Sequence, residues 1–299
     1  MVTAMAMVRI RRSKMKKVLV TGAGGQLGRS FRNLPGTEHF TFVSHKQLDI
    51  CDTQAVADMV CGDSYDIIIN CAAYTNVDGA ENDESAAMRV NRDGAANLAA
   101  AALSNGALLV HISTDYVLDC HGNTPLNETD PCNPSTAYGR TKLEGERAIL
   151  ASGCRHIIIR TSWLYSEYGS NFLKTMLRLT SEHNQIKVVF DQVGTPTYAA
   201  DLAMAVLKIL RRDTVSTQGI YHFSNEGAVS WYDFACEINR LAGHNCHIEP
   251  CLTAEFPRPA RRPSYSVLDK QKIRETFGLS IPHWRESLDV AVKKIYSLQ

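Results

Sequence analysis

The chain has no apolar run approaching the ~18 residues that a spanning helix needs, so no membrane-crossing segment is expected. It has no C-x-x-C pair and no cysteine–histidine cluster at zinc spacing; its nine cysteines are scattered. Cysteines so placed are expected as small buried hydrophobes in a reducing compartment, with the cytoplasm as the default. Neither charge is in excess: 32 Lys and Arg stand against 31 Asp and Glu, a net charge of +1. That balance argues against a general polyanion-binding surface, and so against nucleic acid as a partner. Internal repeats and low-complexity segments are also absent. Residues 1–14 are basic, with Arg9, Arg11, Arg12 and Lys14, but lack the apolar core and cleavage site of a secretory signal. They read as a flexible extension, with the fold beginning near Met15-Lys16-Lys17.

What is present is the composition of a soluble enzyme, 44% hydrophobic and 21% charged, and 299 residues allow one large α/β domain with a smaller annex. Short apolar runs alternate with helical stretches: Lys17–Thr21, Phe40–Ser44, Asp66–Asn70, Leu108–Ile112 and His156–Arg160. Strands apolar along their whole length belong to a parallel sheet covered on both faces, and right-handed crossovers make it doubly wound. The expected fold is therefore α/β, a Rossmann-like doubly wound parallel sheet with a smaller C-terminal lobe. Residues 15–160 would form the dinucleotide-binding domain, completed by parts of 186–224, and 161–299 mainly the substrate-side lobe, discontinuous in sequence.

Three motifs carry chemistry. The first strand runs into Gly22-Ala23-Gly24-Gly25-Gln26-Leu27-Gly28. Glycines at 22, 25 and 28 allow in turn a tight turn, close approach of a pyrophosphate, and helix-on-strand packing. Tyr138 and Lys142 stand four apart, on one face of a helix, where an ammonium can favour the ionised phenol of an acid–base tyrosine. Alone the pair is a weak signal, since both residues are common on half-exposed helix faces. Ser113-Thr114-Asp115 closes the fourth strand, where Thr114 is either a reactive hydroxyl or one satisfying a local backbone group. Gly22 after the first strand, Asn70 after the third, Ser113 after the fourth and Thr161 after the fifth sit at strand carboxyl ends, where doubly wound sheets bind ligands.

These motifs, with Asn70-Cys71-Ala72-Ala73-Tyr74-Thr75 and Arg160-Thr161-Ser162-Trp163-Leu164-Tyr165, resemble the extended short-chain dehydrogenase/reductase superfamily. Adding Asp191-Gln192-x-Gly194-x-Pro196-Thr197 and Ala260-Arg261-Arg262-Pro263, the order resembles the dTDP-4-dehydrorhamnose reductase family from about Lys17 to the C-terminal helix. The resemblance implies reduction of the C4 ketone of a nucleotide-linked 4-dehydrorhamnose by NADPH or NADH. It makes Thr114, Tyr138 and Lys142 the catalytic set, with Tyr138 and Lys142 also touching the cofactor. Gly22, Gly25, Gln26 and Leu27 would hold the pyrophosphate, Asp49 and Ile50 flank the adenine, and Ala72, Ala73 and Tyr74 line the nicotinamide side. Ser44-His45-Lys46 in place of an acidic residue favours NADPH, although Lys46 is read equally well as a solvated loop residue.

Toward the nucleotide-sugar substrate, Thr75, Val77 and Trp163 match sugar-contacting positions, and Arg261 and Arg262 would meet the diphosphate. Trp163 as a core residue and the arginines as a solvated loop stay open. The metal-bridged homodimer of some members is not carried over, because Ser30 and Asp191 stand where those members have glutamates; a homodimer of other form stays open. Two further activities fit the same motifs: another nucleotide-sugar 4-ketoreductase or epimerase, and a non-catalytic NADP-binding regulatory subunit resembling that of methionine adenosyltransferase.

Overall fold

The computed structural model describes residues 16–118, 120, 122–212 and 217–298; the basic extension expected over residues 1–14 lies outside the described residues. Strand and helix alternate through the first half: β1 (Val18–Thr21), α1 (Gln26–Arg32), β2 (Thr41–Phe42), α2 (Thr53–Asp63), β3 (Ile67–Asn70), α3 (Val77–Asn82), α4 (Glu84–Met88), α5 (Gly94–Asn105), β4 (Leu108–Thr114), α6 (Ala137–Ser152) and β5 (Arg155–Thr161). Local signals set the helix ends. Asp52 accepts the Ala55 N–H to start α2, and Thr136 accepts the Gly139 N–H, each at 3.0 Å, to start α6. Gly153, at φ +73°, stops α6. A π-helical turn, Arg89–Asp93, joins α4 to α5.

The second half comprises β6 (Leu164–Tyr165), α7 (Phe172–Glu182), β7 (Gln185–Val189), β8 (Val193–Gly194), β9 (Thr197–Tyr198), α8 (Ala199–Leu210), β10 (Gly219–His222), β11 (Val229–Ser230), α9 (Trp231–Ala242), β12 (His247–Cys251), α10 (Gln271–Phe277) and α11 (Trp284–Ser297). The main sheet runs β10-β5-β4-β3-β1-β2, parallel throughout. Its all-apolar strands feed two cores by alternation. Val18, Val20, Ile67, Ile69, Leu108, Val110, Ile157 and Ile159 enter one core, with α1 and α8 residues. Leu19, Ile68, Leu109 and Ile158 enter the other, with α2 and α5 residues. That two-sided burial is why the strands carry no polar face. Truncating fully buried Ile68 to alanine would cost roughly 2–5 kcal/mol.

The smaller lobe is interleaved with the sheet rather than appended after residue 160. Leu173, Met176, Val188, Phe234, Ile238, Ile248, Trp284 and Leu288 form its core, so α7, β7, α9, β12 and α11 belong together. α8, β10 and α10, though later than 161 in sequence, pack with the main sheet through Val206, Tyr221, Ile273 and Phe277. Of the segment 186–224, then, β10 joins the sheet, whereas β7 pairs with β12 in the lobe. Among the described residues no helix is long and apolar enough to cross a membrane.

Candidate active site

At the end of β1 the chain turns at Gly22, whose φ of +65° favours glycine. A Cβ there would lie 2.6 Å from the Ala72 nitrogen, so the turn closes directly on the segment after β3. Gly28 is pinned likewise, a Cβ reaching within 2.6 Å of the Gly22 carbonyl oxygen, which seats α1 against the strand. Gly25 caps α1 without a side chain, and no acidic residue occupies its first turn, as an anion at a helix start requires. Gly25, Gln26, Leu27 and Ala73 line a cleft of about 550 Å³. A backbone that admits no side chain at its turn, beside an open cleft with Lys142 in its wall, fits a dinucleotide phosphate. Further out, Asp49 accepts the Cys51 N–H at 2.9 Å and Ile50 is buried against Gly94, on the loop after β2 beyond this cleft.

Of the three residues expected on the nicotinamide side, only Ala73 faces the cleft, with Cys71 beside it. The Ala72 N–H donates to Asn70 Oδ1 at 3.1 Å. Tyr74 is turned away because Asn91, from the π-helical turn, holds its N–H at 2.9 Å and its carbonyl at 3.1 Å. Its ring packs with Ala80, Ala87, Ala137 and Tyr138.

Thr114, Tyr138 and Lys142 meet in the same cleft. β4 runs the full length of β5, pairing Thr114 with Thr161, and so delivers Thr114 to the sheet's carboxyl edge. Its hydroxyl donates to Asp115 Oδ1 at 3.0 Å and accepts the Tyr116 N–H at 3.3 Å, so it is both a local cap and a neighbour of Tyr138. Burial raises the Tyr138 phenol above its ordinary value, opposed by the hydrogen bond with Thr114. Tyr138 is therefore protonated at neutral pH, in the state a proton donor needs. Burial also pushes the Asp115 carboxyl up to about 6, opposed by hydrogen bonds from the side chains of Ser266 and Thr114.

Lys142 is 1% exposed. Its Nζ donates to the Ile112 carbonyl at 2.7 Å and lies 3.2 Å from His111 Nε2. Burial brings its ammonium down to about 8, with Glu146 opposing. Glu146 is itself engaged by Arg160, through Nε at 3.0 Å and Nη2 at 2.7 Å. Behind Lys142 a buried chain continues: His111 Nδ1 lies 3.0 Å from Asn70 Nδ2, and Asn70 Oδ1 accepts the Thr21 hydroxyl at 2.7 Å.

The substrate side divides the expected residues. Thr75, Val77 and Trp163 line the cleft. Trp163 adopts φ +48° and stacks on Trp231 at 3.5 Å with the rings 6° apart, its indole seated on Gly194, where a Cβ would come within 2.6 Å. A non-glycine residue held at positive φ by such a stack is a rigid wall. Through Thr75, Val77, Trp231 and Arg262 the cleft opens into a second one of about 650 Å³. Phe172, Met176, Leu179 and Val188 make that one apolar, and Lys187, Arg258 and Arg262 make it cationic. Arg262 bonds the Tyr116 hydroxyl at 2.9 Å and Asp78 at 3.0 Å.

Arg261 and Arg262 together line a further cavity of about 210 Å³ with Asp191 and Thr253, but of the two it is Arg262 that also lines both larger clefts. Arg258 is the second arginine at the cationic cleft.

The pairing of Trp163 with Trp231, and the polar chain of Asn70 and His111, were not among the expected site residues. Trp231 opens a helix some seventy positions downstream, and β4 carries His111 inside an apolar run, so neither had a local motif to mark it.

A family model described as the RmlD substrate binding domain matches residues 15–297. A dTDP-4-dehydrorhamnose reductase of Aggregatibacter actinomycetemcomitans is 40% identical over 92% of this chain and 97% of its own length. The chain belongs to the dTDP-4-dehydrorhamnose reductase family. A solved structure of such a reductase from Clostridium acetobutylicum superposes with a TM-score of 0.89 at 43% identity, covering 94% of this chain and 99% of the other. Another from Bacillus anthracis, in complex with NADP, gives 0.89 at 38% identity, covering 94% and 100%. The Rossmann-like fold of this chain is thus that of the reductase family.

Proposed function

We propose that the protein reduces the C4 ketone of dTDP-4-dehydro-β-L-rhamnose with NADPH, giving dTDP-L-rhamnose. The observation that carries this reading is the convergence of Thr114, Tyr138 and Lys142 on one cleft that starts at the glycine turn and continues into an apolar, cationic one. The NADP bound to the Bacillus anthracis relative supports the choice of cofactor. Gly22, Gly25, Gln26 and Leu27 would hold the pyrophosphate, Asp49 and Ile50 the adenine end, and Ala73 the nicotinamide face. Bound there, NADPH supplies the hydride.

The chain's own groups handle the charge. As negative charge develops on O4, Tyr138 donates its proton and Thr114 supplies a second hydrogen bond, its hydroxyl turning from Asp115 toward the substrate. Lys142 offsets the tyrosinate that remains and reaches the cofactor ribose. Trp163 braced by Trp231 gives the deoxyhexose a flat apolar surface, with Thr75 and Val77 opposite. Lys187, Arg258 and Arg262 match a diphosphate, and the apolar residues around them match a thymine base.

The test is NADPH oxidation by the purified protein with dTDP-4-dehydro-β-L-rhamnose, followed by NMR of the product. The rhamnose configuration at C4 is expected. A talose configuration would move the protein to another 4-ketoreductase activity, and no oxidation of NADPH or NADH would favour a binding role. In the same assay Trp231→Leu, which loses an aromatic pair worth about 0.5–1.5 kcal/mol, should raise the substrate KM roughly 3- to 10-fold.

A further inference from the structure

We propose that His111, fixed by Asn70, is a positioning residue that presents an imidazole N–H to Lys142 and so weakens its hold on a proton in the free protein, a hold that tightens when anionic cofactor arrives. The orientation follows from hydrogen-bond bookkeeping along a fully buried chain. The Ala72 N–H, a donor that cannot be reversed, points at Asn70 Oδ1 at 3.1 Å, and the Thr21 hydroxyl adds to the same oxygen at 2.7 Å. The amide is thereby assigned: Nδ2, a donor, faces His111 Nδ1 at 3.0 Å, and Nδ1 must accept. The proton of a neutral ring then sits on Nε2, which lies 3.2 Å from Lys142 Nζ.

An ammonium there would set donor against donor. An amine accepts the His111 N–H while giving one of its own hydrogens to the Ile112 carbonyl at 2.7 Å. The groups around Lys142 divide. His111 faces it from β4 and is held neutral first by burial and then by the Lys142 ammonium whenever that is protonated, well below the usual histidine range. Glu146, one turn along α6, is the carboxylate whose charge reaches it, and Arg160 from β5 already engages that carboxylate. Tyr138, one turn back on α6, is protonated, and Asn91 from the π-helical turn on that side is neutral. Asp115, at the end of β4, shares the cleft.

The step this implies, at about pH 8 and above, is a proton uptake: a proton moves from solvent to Lys142 Nζ, and the new N–H bond replaces the His111 N–H···N contact. Cofactor binding should therefore weaken as pH rises through about 8, where free Lys142 titrates. The proposal rests on reading Lys142 as the cofactor-facing lysine of the reductase.

The test is NMR of the free protein, which needs neither substrate nor turnover, so its failure and a failed reductase assay are separate results. Long-range 15N spectra should show His111 as the neutral Nε2–H tautomer. The 13Cε resonance of Lys142, assigned by its loss in Lys142→Met, should titrate near pH 8. In His111→Phe it should titrate at least about one unit higher, a tenfold gain in proton affinity, and the pH dependence of NADPH affinity should move with it. An Nδ1–H tautomer or an imidazolium at position 111, or a Lys142 that titrates above about pH 10 in the unaltered protein, would overturn the proposal. Should His111→Phe fail to fold, both wild-type readouts still decide it.

Discussion

Two cations are buried along one face of α6, Lys142 on the helix and Arg160 against its Glu146, and the fold treats them oppositely. Arg160 meets Glu146 through two hydrogen bonds at 3.0 and 2.7 Å, and both are almost wholly sealed from solvent. Lys142, sealed as completely, has no carboxylate to itself: a carbonyl, an imidazole and the open cleft are its surroundings. Charge at Arg160 is permanent and spent on holding α6 to β5. At Lys142 it is conditional, which suits a group that must respond to a tyrosine and a cofactor. Both lie within motifs that the sequence brings forward, yet one is scaffold and the other chemistry.

The largest effect should come from the responsive side. Tyr138→Phe removes the proton donor and should lower turnover about 10²- to 10⁴-fold in steady-state assays, with NADPH affinity largely retained because Lys142 is untouched. Next is the static pair. Glu146→Ala leaves Arg160 buried without its counter-charge and should destabilise the fold by roughly 3–5 kcal/mol in denaturant unfolding.

Asp115 is the anionic counterpart of Lys142, buried as completely at the end of β4. Its carboxyl rises to about 6 from an ordinary 3.8. A raised folded value means the associated stability is full below pH 3.8 and is lost as pH rises through 6. Asp115→Asn should therefore stabilise the protein by roughly 1–3 kcal/mol at pH 7, a gain fading toward pH 4 in thermal scans. Smallest is the exposed pair of Arg140 with Glu84 at 2.7 Å, where Arg140→Ala should cost under about 1 kcal/mol. A large loss there, or none at Glu146, would break the comparison.

How much of this could be read from the residues depends on the range of the interaction. The five main-sheet strands of the first half declared themselves by apolar runs, because burial on two faces favours apolar residues along most of a strand. Gly22, Gly25 and Gly28 were readable since turn, approach and packing fall within one loop. The partition of the second half was not, because β7 pairs with β12 across some sixty residues and α10 returns to the main core. For the same reason Arg261 and Arg262 looked equivalent: which of two neighbours faces a cleft is set by backbone direction. Tyr74 stands where the motif put it, after β3, but its backbone is held by Asn91, a partner from the π-helical turn that no local signal marks. His111 was concealed by its own strand.

The most direct test of the reductase reading uses NADPH deuterated at the transferable position of its nicotinamide ring, with dTDP-4-dehydro-β-L-rhamnose as substrate. A single deuterium at C4 of the sugar product, in step with cofactor oxidation, is predicted. Oxidation without deuterium at C4, or sugar turnover with no loss of NADPH, would contradict it.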